Sequence, residues 1–114
     1  PELATAVQYE LSVIVLVVDN RMYGTIRMHQ ERRYPGRVIG TDLVNPDFAA
    51  FARSFGCHGE TVERTEEVGP AFERAIASGK PAVIGLKVDP EAISPRATLS
   101  QIRAASLTAL DARD

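Results

Sequence analysis

The stretch VIVLVVDNRMYGTIR, Val13 to Arg27, runs through six consecutive apolar residues and turns polar abruptly at Asp19, Asn20 and Arg21. The apolar run is rich in β-branched residues and shows no period-two alternation, the pattern of a strand buried on both faces. Ligands of open parallel sheets bind beyond the carboxyl ends of such strands, so the polar break marks a candidate site as well as a strand end. Asn20 offers a neutral oxygen suited to a hard cation such as Mg²⁺, and the turn after it exposes backbone carbonyls that can add a ligand. Behind it the amides of Tyr23, Gly24 and Thr25 open a helix and can face an anion. A cation ligand beside a helix N-terminus outlines a diphosphate site. The same residues also make an ordinary strand-to-helix turn, because Asp, Asn and Gly are common turn formers.

Working outward, the chain alternates helices and strands. PELATAVQYE carries helix formers with apolar residues at Leu3, Ala6 and Val7. After the first strand, YGTIRMHQERRY reads as a short helix stopped by Pro35-Gly36. In NPDFAAFARSFG, Asn45 can cap, Pro46 suits the first helical position, and Phe48, Phe51, Ala52 and Phe55 form one stripe before Gly56. CHGETVE reads as a short edge strand. TEEVGPAFERAIASG reads as a helix with Thr65 as candidate cap, Val68, Phe72, Ala75 and Ile76 on one face, and Gly79 just past its end; Pro70 must lie in its first turn or kink it. PAVIGLKVD is the next strand, PEAISPR an extended connection, and TLSQIRAASLTALDARD a closing helix expected to fray over about 104–114. The order predicts an α/β fold: three layers, a mostly parallel sheet with helices on both faces.

Length and composition set the outer bounds. The 114 residues, 45% hydrophobic and 25% charged, suit one globular domain with one core. A net charge of −2 leaves no general basic surface, so neither nucleic acid nor membrane is an expected partner. No apolar run approaches membrane-spanning length. The single cysteine, Cys57, has no partner for a disulfide and stands beside His58 rather than at a metal-ligand spacing; a buried, reduced thiol is the simpler reading. His29 reads as a surface histidine, Glu66 and Glu67 as first-turn residues, and Arg27, Arg32, Arg33 and Arg37 as arginines paired within the protein or at a subunit interface.

ELATAVQY followed by VIVLVVDNRMYGTIRMHQERRYPGR, DFAAFARSFG and AFERAIASGKPAVIGLKVDPEAISPR resembles the C-terminal, cofactor-binding domain of thiamine diphosphate-dependent enzymes. The likeness is greatest to the acetolactate synthase branch, which itself resembles the pyruvate and benzoylformate decarboxylases. It covers Glu2 to about Arg103. The resemblance implies that Asn20 gives its side-chain oxygen to Mg²⁺, that Met22 gives its backbone carbonyl, and that Tyr23 and Gly24 lie against the diphosphate. It implies thiamine diphosphate and Mg²⁺ as cofactors, a 2-oxo acid as substrate of the complete enzyme, and a cytoplasmic homo-oligomer. No residue of this chain is assigned a catalytic role, since the cofactor carries the carbon chemistry while the protein binds, bends and desolvates it.

The departures from the family pattern carry their own expectations. The Gly-Asp-Gly triplet that supplies another metal ligand would precede Pro1, as would the domain whose glutamate activates the aminopyrimidine. Residues 1–114 are thus expected to be a partial domain, incomplete at its N-terminus and inactive alone. Asp19 replaces the usual asparagine and brings a negative charge that needs a partner. Glu10 and Ser12 stand where the family has glycine and proline, so Glu10 is expected in a left-handed backbone at a cost of about 1 kcal/mol. Two alternatives share these residues: a non-catalytic binding or assembly module, and a receiver-like phosphoacceptor domain with Asp19 as acceptor.

Overall fold

The computed structural model describes residues 2–113, and within them the chain forms two compact units: the chain up to Asp19 with Asn45–Val88, and Asn20–Val44 with the chain from Asp89 onward. Pro1 and Asp114, the first residue of the expected opening helix and the last of the expected tail, lie outside the described residues.

The first unit is built on a parallel three-stranded sheet in the order β1-β3-β2, with β1 at Ile14–Asp19, β2 at His58–Val62 and β3 at Ala82–Lys87. Ile14 and His58 both lie opposite Ala82, so the central strand is flanked from its first residue. Alternation along β3 then sorts two cores. Ala82 and Ile84 pack with Val62 and with Ala71 and Ala75 of α4 (Val68–Ser78), joined by Ile14, Val68 and Leu86. Val83 points the other way, to Ala52 and Phe48 of α3 (Phe48–Ser54), Cys57, Phe55, Val17, and Leu3 and Val7 of α1 (Glu2–Gln8). Helices therefore cover both faces, as the α/β reading requires. β2 and α3 meet so closely that a Cβ on Gly59 would collide with the Ala49 carbonyl oxygen, leaving glycine as the residue that fits.

Several local expectations change in this unit. β1 is not buried on both faces: Val15, Leu16 and Val18 are exposed, because β1 is an edge strand and the enclosed position belongs to β3, whose Ala82–Gly85 are all buried. The cap of α3 is Asp47, whose carboxylate accepts from the Ala50 amide at 2.9 Å. Asn45 is drawn elsewhere, its Nδ2 donating to Asp19 Oδ1 at 2.7 Å. The buried stripe of α3 consists of Ala49 and Ala52, while Phe51 is half exposed and meets Phe55 edge-on with ring centroids 5.1 Å apart. Thr65 does not cap α4; Thr65–Glu67 form a 3₁₀ turn that runs into it, with Pro70 in the first turn. Small residues again form the buried face, since Ala71 and Ala75 are buried while Phe72 and Ile76 are exposed.

Glu10 does adopt the left-handed backbone, at φ 54°. Its amide bonds the Val7 carbonyl (3.2 Å) and the Leu11 amide bonds that of Ala6 (2.9 Å), the paired closure that ends a helix through a left-handed residue. Ser12 Oγ donates to the Gly79 carbonyl at 3.0 Å. On β2, His58 Nε2 lies 2.7 Å from Glu60 Oε2, and Arg74 donates to both Glu60 oxygens at 2.8–3.2 Å. The Arg74 hydrogen bonds hold the Glu60 carboxyl below the usual carboxylate range, aided by His58 and opposed by partial burial. Cys57 is buried, and desolvation pushes its thiol up, as suits a structural cysteine.

The second unit is organised by α2 (Gly24–Arg33) and α5 (Leu99–Asp111). α5 starts with a full capping box: Thr98 Oγ1 accepts from the Gln101 amide, and Gln101 Oε1 from the Thr98 amide. Glu91 adds to this start by accepting from the Ser100 amide (2.9 Å) and hydroxyl (2.7 Å), which hold its carboxyl below the usual range. Leu99 and Ile102 are its buried residues. Glu31 of α2 is fully buried; it pairs with Arg103 of α5 and accepts from the Gly36 amide at 3.0 Å, tying both helices to the turn that follows α2. His29 is exposed, as read from the sequence. Among the described residues no helix is long and apolar enough to cross a membrane.

Candidate cofactor site

β1 ends at Asp19, whose carbonyl accepts from the Val88 amide at 3.0 Å and whose carboxylate is engaged by Asn45. The Asn45 amide is thus one partner of that carboxylate. Arg21, two residues on, takes a left-handed backbone at φ 62°. This reverses the chain and lets Asn20 Oδ1 accept from the Met22 amide at 3.2 Å. Asn is suited to that turn, since its side chain can bond the main chain two residues later.

Met22 then lies opposite Asp42 in an isolated antiparallel bridge. The bridging hydrogen bonds come from the flanking residues, Tyr23 N to the Thr41 carbonyl and Leu43 N to the Arg21 carbonyl, both at 2.9 Å. In such a pair the two central residues turn their own N–H and C=O away from each other's strand. An extended residue aims both groups to one side, so the Met22 carbonyl faces the side on which its amide meets Asn20 Oδ1. Two neutral oxygens are thereby directed to a common region. A shallow cleft of about 310 Å³ is lined there by Asn20, Met22, Asp42 and Pro90. Among the described residues no three His, Cys, Asp or Glu side chains converge to hold a metal.

Helix α2 begins directly after Met22. Its N-cap residue, Tyr23, makes no side-chain cap, and no acidic residue stands in the first turn; α4 shares both features, while α3 and α5 each carry a side-chain cap. The leading amides of a helix have no intrahelical acceptor, and an anion can supply one. Gly24 packs tightly beside this end: a Cβ there would stand 2.7 Å from Asn20 Nδ2 and 2.9 Å from Ile93 Cδ1. The glycine lets the Asn20 carboxamide lie against the first residue of the helix.

Asn20, Met22, Tyr23 and Gly24 therefore sit in one short turn, with Asn20 bonded to Met22 and packed on Gly24, and Tyr23 half exposed at the helix start. Sequence reasoning missed the segment that backs this turn, Ile39 to Leu43, and the two α2 side chains that grip it. Arg27 Nε donates to Thr41 Oγ1 and its Nη2 to Asp42 Oδ1, both at 2.6 Å; Thr41 Oγ1 donates to Gln30 Oε1 at 3.1 Å, and Gln30 Nε2 to the Ile39 carbonyl at 2.8 Å. The available signal was the spacing of Arg27 and Gln30, which places them on one helix face.

Residues 1–86 match the family described as thiamine pyrophosphate enzyme, C-terminal TPP binding domain. The chain is 33% identical to the acetolactate synthase large subunit IlvG of Mycobacterium tuberculosis over 92 residues, 81% of this chain and 17% of that protein. It is 36% identical to the sulfoacetaldehyde acetyltransferase of Castellaniella defragrans over 75 residues, 66% of this chain and 12% of that protein. Among solved structures, benzoylformate decarboxylase from Polynucleobacter necessarius superposes with a TM-score of 0.67 at 28% identity, covering 78% of this chain and 17% of that one. The chain thus spans less than a fifth of the length of these relatives. With three parallel strands between helices and a family match over most of its length, this chain belongs to the thiamine pyrophosphate enzymes, within their C-terminal TPP-binding domain.

Proposed function

We propose that this chain holds thiamine diphosphate through Mg²⁺, with Asn20 Oδ1 and the Met22 carbonyl as metal ligands and the start of α2, at Tyr23 and Gly24, against the diphosphate. The observation that carries the reading is the turn itself, where two neutral oxygens are directed to one side at the head of a helix whose N-terminus has no side-chain cap. That donor set fits the group: hard oxygens suit Mg²⁺, and uncapped amides suit the phosphate oxygens. The Asn20 oxygen has a second lone pair for a cation while it accepts from Met22.

When bound, the cofactor supplies decarboxylation of 2-oxo acids and carbon–carbon bond formation, in the manner of acetolactate synthases. The residues of this chain bind and orient it. Names of relatives that include acetolactate synthase and benzoylformate decarboxylase support a 2-oxo acid as the substrate of the complete enzyme. The complete enzyme is proposed to be a homo-oligomer, and this chain by itself to hold the cofactor without turnover.

Titration calorimetry tests the reading. Binding of thiamine diphosphate should require Mg²⁺ and weaken about 10- to 100-fold in Asn20→Ala, while circular dichroism shows the fold unchanged. Normal binding by Asn20→Ala would refute the ligand assignment.

A further inference from the structure

We infer that Thr41, gripped by Arg27 and Gln30, is a positioning residue that fixes the Met22 carbonyl at a set distance from the head of α2; this inference rests on the metal and diphosphate roles proposed above. A cation bridging a diphosphate to protein oxygens needs its two anchor points, the oxygens and the helix amides, at constant spacing. The structure supplies that spacing through a closed circuit.

The circuit starts on α2, where Arg27 and Gln30 share one face. They hold Thr41 from both sides, Arg27 Nε donating to its hydroxyl and the hydroxyl donating to Gln30 Oε1, while Gln30 also fixes the Ile39 carbonyl. The main chain of Thr41 then holds the Tyr23 amide, and Leu43 holds the Arg21 carbonyl. Met22, between Arg21 and Tyr23, is fixed at both ends. Tyr23 closes the circuit, since its carbonyl accepts the Arg27 amide in the first turn of α2 at 2.9 Å. Thr41 is 3% exposed and the Arg27 side chain 12%, so little water can reach the junction to replace a lost hydrogen bond. A loop that merely covered the helix would not need a hydroxyl that both accepts and donates at this point.

The test follows the chain by nuclear magnetic resonance, observing the Asn20 carboxamide and the Tyr23–Thr25 amides during titration with thiamine diphosphate and Mg²⁺. In the wild-type chain these signals should move only when both are present. Thr41→Val keeps the shape and removes the hydroxyl; its affinity should fall at least about tenfold at a temperature where its spectrum is that of a folded chain. Thr41→Ser restores the hydroxyl and should return affinity to within about threefold of wild type. Should Thr41→Val not fold, Gln30→Met, at a half-buried position, carries the same expectation of weakened binding. Wild-type affinity in the folded variant, or Ser as weak as Val, would overturn the positioning role while leaving the site reading intact. A wild-type chain whose Asn20 carboxamide never responds would overturn the site reading, and the positioning role with it.

Discussion

Replacing Gly24 by alanine separates holding the fold from holding the cofactor. The added methyl would begin 2.7 Å from Asn20 Nδ2 and 2.9 Å from Ile93 Cδ1. Both are tips of side chains, so the helix can stay in place and the tips retreat, by roughly 0.7 Å for Asn20 before ordinary contact is restored. The Asn20 Oδ1 bond to Met22 is already 3.2 Å long, and such a retreat carries it out of hydrogen-bonding range. Its loss costs about 1 kcal/mol. Alanine in place of glycine at this first helical residue returns about 0.4–1 kcal/mol, chiefly through a less flexible unfolded chain. The two terms nearly cancel, and thermal melting should move by only a few degrees. Cofactor binding has no such compensation, since one of the two proposed protein oxygens has moved; affinity should fall about 10- to 100-fold, or about 1.4–2.8 kcal/mol. Thermal melting and calorimetry on one preparation measure both quantities. A variant that melts like wild type and binds Mg²⁺-thiamine diphosphate equally well would refute the coupling of Gly24 to Asn20.

Three further outcomes are expected. Asp19→Asn keeps an oxygen that can accept from Asn45 and removes a charge one residue from the proposed metal ligand, so cofactor affinity in calorimetry should hold or rise; abolished binding would make Asp19 the better ligand candidate. Glu31→Ala strands the Gly36 amide and Arg103, and because the Arg103 side chain is 43% exposed and can rehydrate, the cost in urea melts should be about 2 kcal/mol, below that of breaking a fully enclosed pair. Glu60 has a folded pKa depressed mainly by Arg74, so its contribution is present above the unfolded glutamate value of about 4.3 and is lost as pH falls through the folded value. Urea melts from pH 7 to pH 3 should show this acid loss flattened in Arg74→Ala; an unchanged slope below pH 4 would count against the assignment.

What was legible in the sequence was whatever local chemistry decides. The order of elements, the turn after Asp19 and the stops at Pro35-Gly36 and Gly79 follow from side-chain periodicity and backbone preference, and they stand in the structure. The left-handed Glu10 was legible only against a family pattern with glycine there. Val13–Val18 was read as buried on both faces because it is a continuous apolar run like Ala82–Leu86, and only long-range pairing tells which of the two is flanked twice. Asn45 and Asp47 are both good caps two residues apart; Asp19, 26 positions away, takes the first and leaves the second. The turn around Asn20 was readable because its residue types state their chemistry. The support behind it was not, since GTDLVNP reads as a polar connection until Thr41 and Asp42 are seen against Tyr23 and Arg27.

The two margins of the small sheet differ in kind. β2, HGETV, carries histidine and glutamate, with arginine from α4 clasping the glutamate, and charge of that sort discourages a neighbour from docking alongside. β1 has no charged residue between Ile14 and Val18, and three of those side chains stand open to solvent. Handling of the isolated chain should therefore be limited by concentration before it is limited by heat: stickiness has one preferred direction, along the β1 margin. A lysine at Val15 or Leu16 would be the economical way to keep the chain dispersed for the measurements described above.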